Sequence, residues 1–435
     1  MNFEYLLPRT ELMSGKGVLE NIEDRVSKSS HKLQMEKKMT FRYLFPRTNL
    51  IFGEGALESL GKETRKLGKS VLLVTGRKSM QRLGFLDKAR KYLEQEGLKV
   101  FHYGKVEPNP TVDIVDEGAK LALQNQCEVI VGMGGGSAMD SAKVIAVVAG
   151  HSKSSPCSIW DFSVTQDEPL SITEATLPVI AVTSTSGTGS HVTRYAVISN
   201  PETCEKPGFG SEYMYPRVSI VDLNIAKNMS PELTARTGFD TLAHVLEAFV
   251  SREGNPIVDS YCLKAIELVF SYLPAAYREG DNMEARFNMA LADTYAGWAI
   301  AVASAALPHA MAHPISGHYP NVDHGVALAA ISSNVMEFNI DNGDKKTVHK
   351  YCEIAKTMGQ SIRECTKEKA KKSIQAVKEL LEKVGLRVNL SQLKIDQNKI
   401  SNMAQGAFKT MRRGVEKNPV PATEEDVEQI YRRSF

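Results

Sequence analysis

The sequence predicts two architectures in one chain: an α/β region built on a parallel sheet, then an all-helical region, with a cleft between them as the natural place for a ligand. Three observations carry this. Short apolar runs closed by glycine or small residues alternate with helical periodicity between residues 71 and 222. After Asp222 strand signals nearly vanish and long amphipathic stretches follow one another. At 435 residues the chain is long enough for two or three domains, each with a core of its own.

The elements follow in order. Residues 3–22 (FEYLLPRTELMSGKGVLENI) and 41–60 (FRYLFPRTNLIFGEGALESL) are identical at eleven of twenty positions, at an offset of 38. We read 1–38 as an N-terminal extension that partly duplicates 39–76, with Met39 as a start for the working protein. The two copies are candidates for the same sheet edge. VLLVTG (71–76), KVFHYG (99–104), CEVIVGMG (127–134), PVIAVTS (178–184) and RVSIVD (217–222) read as buried strands. Helices are expected over 79–98, 111–126, with Thr111 as N-cap, and 137–148. This α/β domain occupies 39–225, and an all-helical domain occupies 226–435. The latter is expected to hold helices near 231–251, 257–279, 282–306, 310–317 and 325–338, then two charged ones near 345–358 and 366–384.

Composition narrows the function classes. A hydrophobic fraction of 42% and a charged fraction of 24% are those of an ordinary globular protein. They argue against a collagen-like repeat, extended disorder and an integral membrane protein. Lys+Arg total 53 against 51 Asp+Glu, so the net charge of +2 gives no reason to expect nucleic acid or anionic lipid as a partner. The Lys-rich segment 366–385 reads as a solvated helix face. Six cysteines without a CxxC pair are too sparse for a disulfide scaffold, which points to a reducing compartment. The N-terminus lacks the basic start and apolar core of a secretory signal. The apolar run 297–312 is too short to span a bilayer and leads into histidines. A soluble cytoplasmic protein is the expectation.

Four motifs carry chemistry. VGMGGGSAMDSAK (131–143) follows a strand and opens a helix. Its glycines let a ligand approach the backbone, and the helix N-terminus beginning at Ser137 favours a phosphate. It is not the GxGxxG fingerprint, because the third glycine is missing. TSTSGTGSHVT (183–193) offers Ser184, Thr185 and Thr188 as hydroxyl donors on the same sheet edge. Asp240 and His244 are four residues apart on an apolar helix, so they share one face and can chelate one metal. LPHAMAHPISGHYPNVDHG places His309, His313, His318 and His324 within sixteen residues. HAMAH has the spacing of HExxH but not its Glu, which rules out that zinc-protease reading. Asp240 and His244 with this cluster offer imidazoles and a carboxylate suited to Fe(II) or Zn(II).

With these motifs in this order, the sequence resembles the iron-containing (group III) alcohol dehydrogenases of the dehydroquinate synthase-like superfamily, from about residue 40 to 435. The resemblance implies a parallel-sheet nucleotide-binding domain, a helical metal-binding domain and an active site in the cleft between them. It implies Asp240, His244, His309 and His324 as metal ligands. Gly135, Gly136, Ser137 and Asp140 match cofactor contacts in the glycine turn, Asn109 a residue beside the cofactor, and Ser184, Thr185 and Thr188 the hydroxyl loop. Lys206 matches a lysine near the nucleotide ribose. His313 matches a histidine that relays a proton. The implied reaction exchanges hydride between an alcohol or aldehyde and a nicotinamide cofactor, often in a homodimer or larger homo-oligomer.

Three features depart from the family pattern. His309 and His324 are 15 residues apart where 14 is common, which leaves His318 as a rival third ligand. His191 stands where the family usually has Glu. Ser184 and Ser186 replace Thr and Ala. The strand 71–76 ends in Gly76, Arg77, Lys78 and Ser79 rather than in an acid, a pattern that suits a 2′-phosphate and so NADP(H) over NAD(H). The substrate is expected to be a small, butanol-like alcohol or aldehyde in a pocket with Phe162, Phe249 and Trp298 as candidate walls. Two other readings stand beside it: a glycerol dehydrogenase-like zinc polyol oxidoreductase, and a metal- or nucleotide-binding protein without catalysis.

Overall fold

The computed structural model describes residues 11–13, 42–44 and 47–435, and the chain divides into two units, Met1–Arg47 and Thr48–Phe435. In the first unit, β1 (Glu11–Met13) and β2 (Arg42–Leu44) pair antiparallel with Leu12 opposite Tyr43. The rest of the 1–38 extension lies outside the described residues. Residues 11–13 are the copy of 49–51, but the two tripeptides sit in different sheets, so they do not compete for one edge.

The second unit carries β3 (Asn49–Gly53), β4 (Ser70–Gly76), β5 (Lys99–Val106), β6 (Val129–Gly134), β7 (Val179–Thr183), β8 (Tyr195–Val197), β9 (Gly208–Gly210) and β10 (Val218–Asp222). Six of them form one parallel sheet in the order β3-β10-β7-β6-β4-β5, while β8 and β9 make a separate antiparallel ribbon. Helices α1 (Phe85–Gln95), α2 (Val112–Gln124) and α3 (Gly136–His151) cover the sheet. On β4, Leu72 and Val74 join a core with Val115, Ala119 and Ile145 of α2 and α3. Val71 and Leu73 face the opposite core, with Phe85, Leu86 and Leu93 of α1. Burial on both faces is why these strands read as continuous apolar runs instead of alternating ones. β3 has no such run, because it is a half-buried edge strand. The helix expected over 79–98 is broken by Gly84, whose φ of 75° separates a single turn, Ser79–Arg82, from α1.

The helical half follows in α4 (Pro231–Val250), α5 (Pro256–Arg278), α6 (Met283–Ala303), α7 (Leu307–His318) and α8 (His324–Asn342). Ser230 caps α4 by accepting from the Leu233 amide at 3.2 Å, and Pro231 supplies a preset φ behind it. Every residue of α4 from 238 to 250 is buried. Any polar side chain on that stretch must therefore find a partner inside the protein. The apolar run 297–312 is split by a bend of 102° between α6 and α7. Among the described residues, no single helix is long and apolar enough to cross a membrane. The charged segment 366–384 forms two helices, Lys367–Ala370 and Lys372–Lys383. Three more helices, Ile400–Thr410, Arg412–Lys417 and Glu424–Arg433, end the chain.

The start of α8 rests on α4 without a side chain between them: a Cβ on Gly325 would lie 2.2 Å from the Arg236 carbonyl oxygen. Arg236 also forms an ion pair with Asp323, the residue before His324. Gly325→Ala is therefore expected to destabilise the fold by about 1–3 kcal/mol through overpacking, despite the better helix propensity of alanine. Urea unfolding of the two proteins checks it, and an unchanged midpoint contradicts it.

Candidate active site and metal centre

The buried stretch of α4 presents three ionisable groups on one face, Asp240, His244 and Glu247, and α7 answers them with His309. His309 Nδ1 lies 2.6 Å from Glu247 Oε1, and its Nε2 lies 3.3 Å from Asp240 Oδ1. Since a carboxylate accepts, Nδ1 donates to Glu247 and Nε2 is the free ligand atom. Glu247 Oε2 accepts from the Ala306 amide at 2.6 Å and the His309 amide at 3.4 Å. One carboxylate thus fixes both the ring and the helix start that carries it. That start follows a strained residue: Ser304, at φ 65° and ψ 159°, lies in a region nearly reserved for glycine.

His324, at the first turn of α8, completes a cluster. The ligand atoms of Asp240, His309 and His324 all lie within 4.8 Å of one another. His324, not His318, occupies this position. His318 is half-buried at the C-terminal end of α7. His244 stacks on His309 with ring centroids 4.2 Å apart. Its Nδ1 is 3.3 Å from the Gly187 carbonyl oxygen and 3.6 Å from Asp240 Oδ1, and the three-residue cluster of converging ligand atoms does not include it.

The electrostatics fit a cation. Burial pushes His244 down to about 4, and burial with the nearby Lys206 holds His324 and His313 well below the usual histidine range. Three imidazoles are thus neutral, the state that binds metal. His309 differs: burial opposes its charge, but Glu247 and Asp240 outweigh burial and raise it to about 10. Two buried carboxylates around one ring call for positive charge at this point. Among the described residues, buried His324 Nδ1 has no hydrogen-bond partner. A carboxylate and two imidazoles whose ligand atoms converge are a donor set for a divalent transition metal. The residues present therefore fit the group.

Sheet order brings the nucleotide motifs to the same place. β6 and β7 are neighbours, with Gly134 opposite Thr183, so the glycine turn and the hydroxyl loop leave the sheet side by side. The Ser184 amide donates to the Gly134 carbonyl at 2.9 Å. A Cβ on Gly136 would lie 2.6 Å from Thr188 Cγ2, which is why the turn needs glycine there. Gly135 is the N-cap of α3 and provides no capping side chain; the Ala138 amide turns back to the Gly135 carbonyl at 3.1 Å, and the helix N-terminus at Gly136 and Ser137 lines the cleft. Asp140 is otherwise occupied: it accepts from Ser190 Oγ at 2.6 Å and from the Val197 amide at 3.0 Å. It ties the turn to the loop and to β8. Lys206 Nζ donates to Asn109 Oδ1 at 2.7 Å, and burial lowers this lysine to about 8. His313 donates from Nδ1 to the Lys206 carbonyl at 3.0 Å, so its Nε2 is the free proton acceptor.

A cleft of 690 Å³ collects Asn109, Gly136, Ser137, Asp140, Thr188 and Lys206 with Asp240, His244, His309, His313 and His324. Gly135, Ser184 and Thr185 are not among the residues that line it. Gly76, Arg77 and Ser79 lie apart from it, at the end of β4 and the turn that follows. There Arg77 forms an ion pair with Glu107, an acid that the sequence reading did not weigh. The apolar walls are Val164, Ile300, Phe408 and Met411, and Phe162, Phe249 and Trp298 are not among them. Glu247 was also missed, although its i+3 spacing from His244 and i+7 from Asp240 put it on the ligand face in plain sequence.

Comparison with known proteins agrees with this geometry. Residues 46–223 match the iron-containing alcohol dehydrogenase family, and residues 234–435 match the C-terminal part of the Fe-containing alcohol dehydrogenase family. The chain belongs to this family and is an alcohol dehydrogenase of the iron-containing type. The crystal structure of an archaeal halo-thermophilic Red Sea brine pool alcohol dehydrogenase superposes with a TM-score of 0.90 at 49% identity, covering 92% of this chain and 100% of that one. A 1,3-propanediol dehydrogenase of Klebsiella pneumoniae is 34% identical over 371 residues, 85% of this chain and 92% of its own. An NADPH-dependent butanol dehydrogenase of Clostridium saccharobutylicum is 35% identical over 338 residues, 77% of this chain and 83% of its own.

Glu247→Gln keeps the shape but replaces one accepting oxygen by a donor that faces an N–H. Metal affinity is expected to fall about 10–100-fold, as for other partners that orient a ligating histidine. Metal titration of the stripped protein reads this directly, and an unaltered affinity would sink the role given to Glu247.

Proposed function

We propose that this alcohol dehydrogenase reduces small, butanol-like aldehydes and oxidises the matching alcohols with NADP(H) in preference to NAD(H), using Fe(II), with Zn(II) as the alternative metal. The observation that carries the reading is the Asp240, His309 and His324 cluster sharing one cleft with the glycine turn. Asp240, His244, His309 and His324 would hold the metal, which supplies Lewis-acid chemistry at the substrate oxygen when bound. Gly136 and Ser137 present amides to the pyrophosphate, and Thr188 closes over them. Lys206 and Asn109, locked to each other, hold the ribose side of the cleft. His313 takes up the proton at Nε2, because its Nδ1 is held by the Lys206 carbonyl. Val164, Ile300, Phe408 and Met411 make an apolar wall that suits an aliphatic chain.

The preference for NADP(H) rests on Gly76, Arg77, Lys78 and Ser79 after β4. Glu107 bears on it, since the carboxylate holding Arg77 must release it to a 2′-phosphate. Arg77→Ala is expected to lower the NADPH-to-NADH ratio of kcat/KM about tenfold, near 1.4 kcal/mol, while Glu107→Gln raises it.

The deciding experiment is NADPH oxidation with butanal after anaerobic loading with Fe(II) and separately with Zn(II), with NADH in parallel. A metal-dependent rate that prefers NADPH supports the reading. His313→Ala is expected to reduce kcat about 100-fold while metal content stays at the native level. Full metal occupancy without turnover across an aldehyde panel would favour a binding protein instead.

A further inference from the structure

His191 stands on the loop between the hydroxyl motif and β8, and its surroundings define its protonation. It is buried. Its Nε2 lies 3.0 Å from Thr294 Oγ1, and that hydroxyl spends its own hydrogen on the Ala290 carbonyl at 2.9 Å. Thr294 can therefore only accept from the ring, so Nε2 carries the hydrogen and Nδ1 bears a lone pair. Among the described residues, Nδ1 has no hydrogen-bond partner. What faces it, at 3.6 Å, is Asp293 Oδ2. A lone pair opposed to an ionised carboxylate in a dry interior is repulsive, and a single proton on the acid removes the conflict.

The other side of Asp293 carries the loop. Its Oδ1 accepts from the Gly189 amide at 2.7 Å, and the Gly187 amide also bonds to this carboxyl. Gly189 has φ 60°, and a Cβ there would lie 2.6 Å from the Gly297 Cα, so the loop is pressed directly on α6. On α4, a Cβ at Gly187 would meet Thr237 Cβ at 2.6 Å. The Gly187 carbonyl is the same one that faces His244 Nδ1.

We infer that Asp293 is a positioning residue held in its protonated form by His191, and that this neutral pair sets the loop that carries Thr188 and orients His244. The inference rests on the proposed function only where it takes Thr188 to face the dinucleotide. The charged groups facing the pair are Lys143, from α3, and Asp240, from α4. Burial raises Asp293 to about 7 and, with Lys143, lowers His191 to about 3, in keeping with a neutral acid beside a neutral imidazole.

The test compares Asp293→Asn with Asp293→Ala in the full-length, metal-loaded protein. An asparagine is neutral, turns an N–H toward the His191 Nδ1 lone pair and accepts from the Gly189 amide through Oδ1, with no charge to gain. NADPH affinity, read by fluorescence, is expected to weaken in the native protein as pH rises through about 7, where Asp293 ionises, ahead of the loss of charge on Lys206 near about 8. Asp293→Asn should keep the native affinity at the acid end within about threefold and lose the step near pH 7 while keeping the one near 8, whereas Asp293→Ala should lose about tenfold throughout. In nitrogen-15 spectra, assigned with His191→Gln, His191 should be protonated at Nε2 and bare at Nδ1. Asp293→Asn behaving like the alanine variant, or a proton found on Nδ1, overturns the inference. If the native protein binds no dinucleotide, the proposed function fails, and the His191 spectrum still decides the protonation state.

Discussion

Two carboxylates buried on one helix, Asp240 and Glu247, are the constraint on which the rest of the site depends. Neither can be ionised inside a protein without a partner, because an unpaired buried charge costs several kcal/mol. Both converge on His309, one at each ring nitrogen. That arrangement orients the ring and makes the space between Asp240, His309 and His324 attractive to a cation. Glu247 then reaches past the ring to the Ala306 amide and holds the turn in which Ser304 adopts its costly backbone. The bend between α6 and α7 is thus stabilised by the same group that sets the ligand.

The sheet supplies the second half of the arrangement. Parallel strands send every βα turn to one edge, and the neighbours β6 and β7 carry the glycine turn and the hydroxyl loop. The hydroxyl loop then leaves the α/β half and wedges between α4 and α6, where Gly187 and Gly189 permit backbone contact. Its Gly187 carbonyl fixes the ring of His244. The loop that touches the glycine turn on one side therefore holds His244 beside the Asp240 and His309 cluster on the other, so the two motifs share one cleft.

Much of this was legible in the sequence, for a physical reason in each case. Strands buried on both faces announce themselves as unbroken apolar runs, so β4, β6, β7 and β10 were read close to their true bounds. β3 escaped because an edge strand lacks that run, and the short ribbon of β8 and β9 because three residues carry no periodicity. The four histidines and Asp240 stood out because ionisable groups in apolar segments need partners. Glu247 and Asp293 did not, since an acid on a helix looks solvated until its neighbours are known. The choice between His318 and His324 needed the turn before α8, which spacing alone does not describe.

The charge states complete the argument. Burial keeps His244, His313 and His324 neutral, whereas the Glu247 and Asp240 carboxylates raise His309, and a cation beside Asp240 and His324 would take the place of the proton at His309 Nε2. An imidazole must be neutral either to ligate or to accept a proton. His313 is neutral through the same burial as the ligand His324, but its ring is turned differently: Nδ1 is spent on the Lys206 carbonyl, and its edge meets the face of His324 at 5.2 Å between centroids. One backbone carbonyl thus distinguishes His313 from His324, whose ligand atom lies with those of Asp240 and His309. That carbonyl belongs to Lys206, whose ammonium grips Asn109 on the nucleotide side. A shift of this segment would move His313 and Asn109 together, so a single short stretch of chain couples the histidine cluster to the Asn109 side of the cleft.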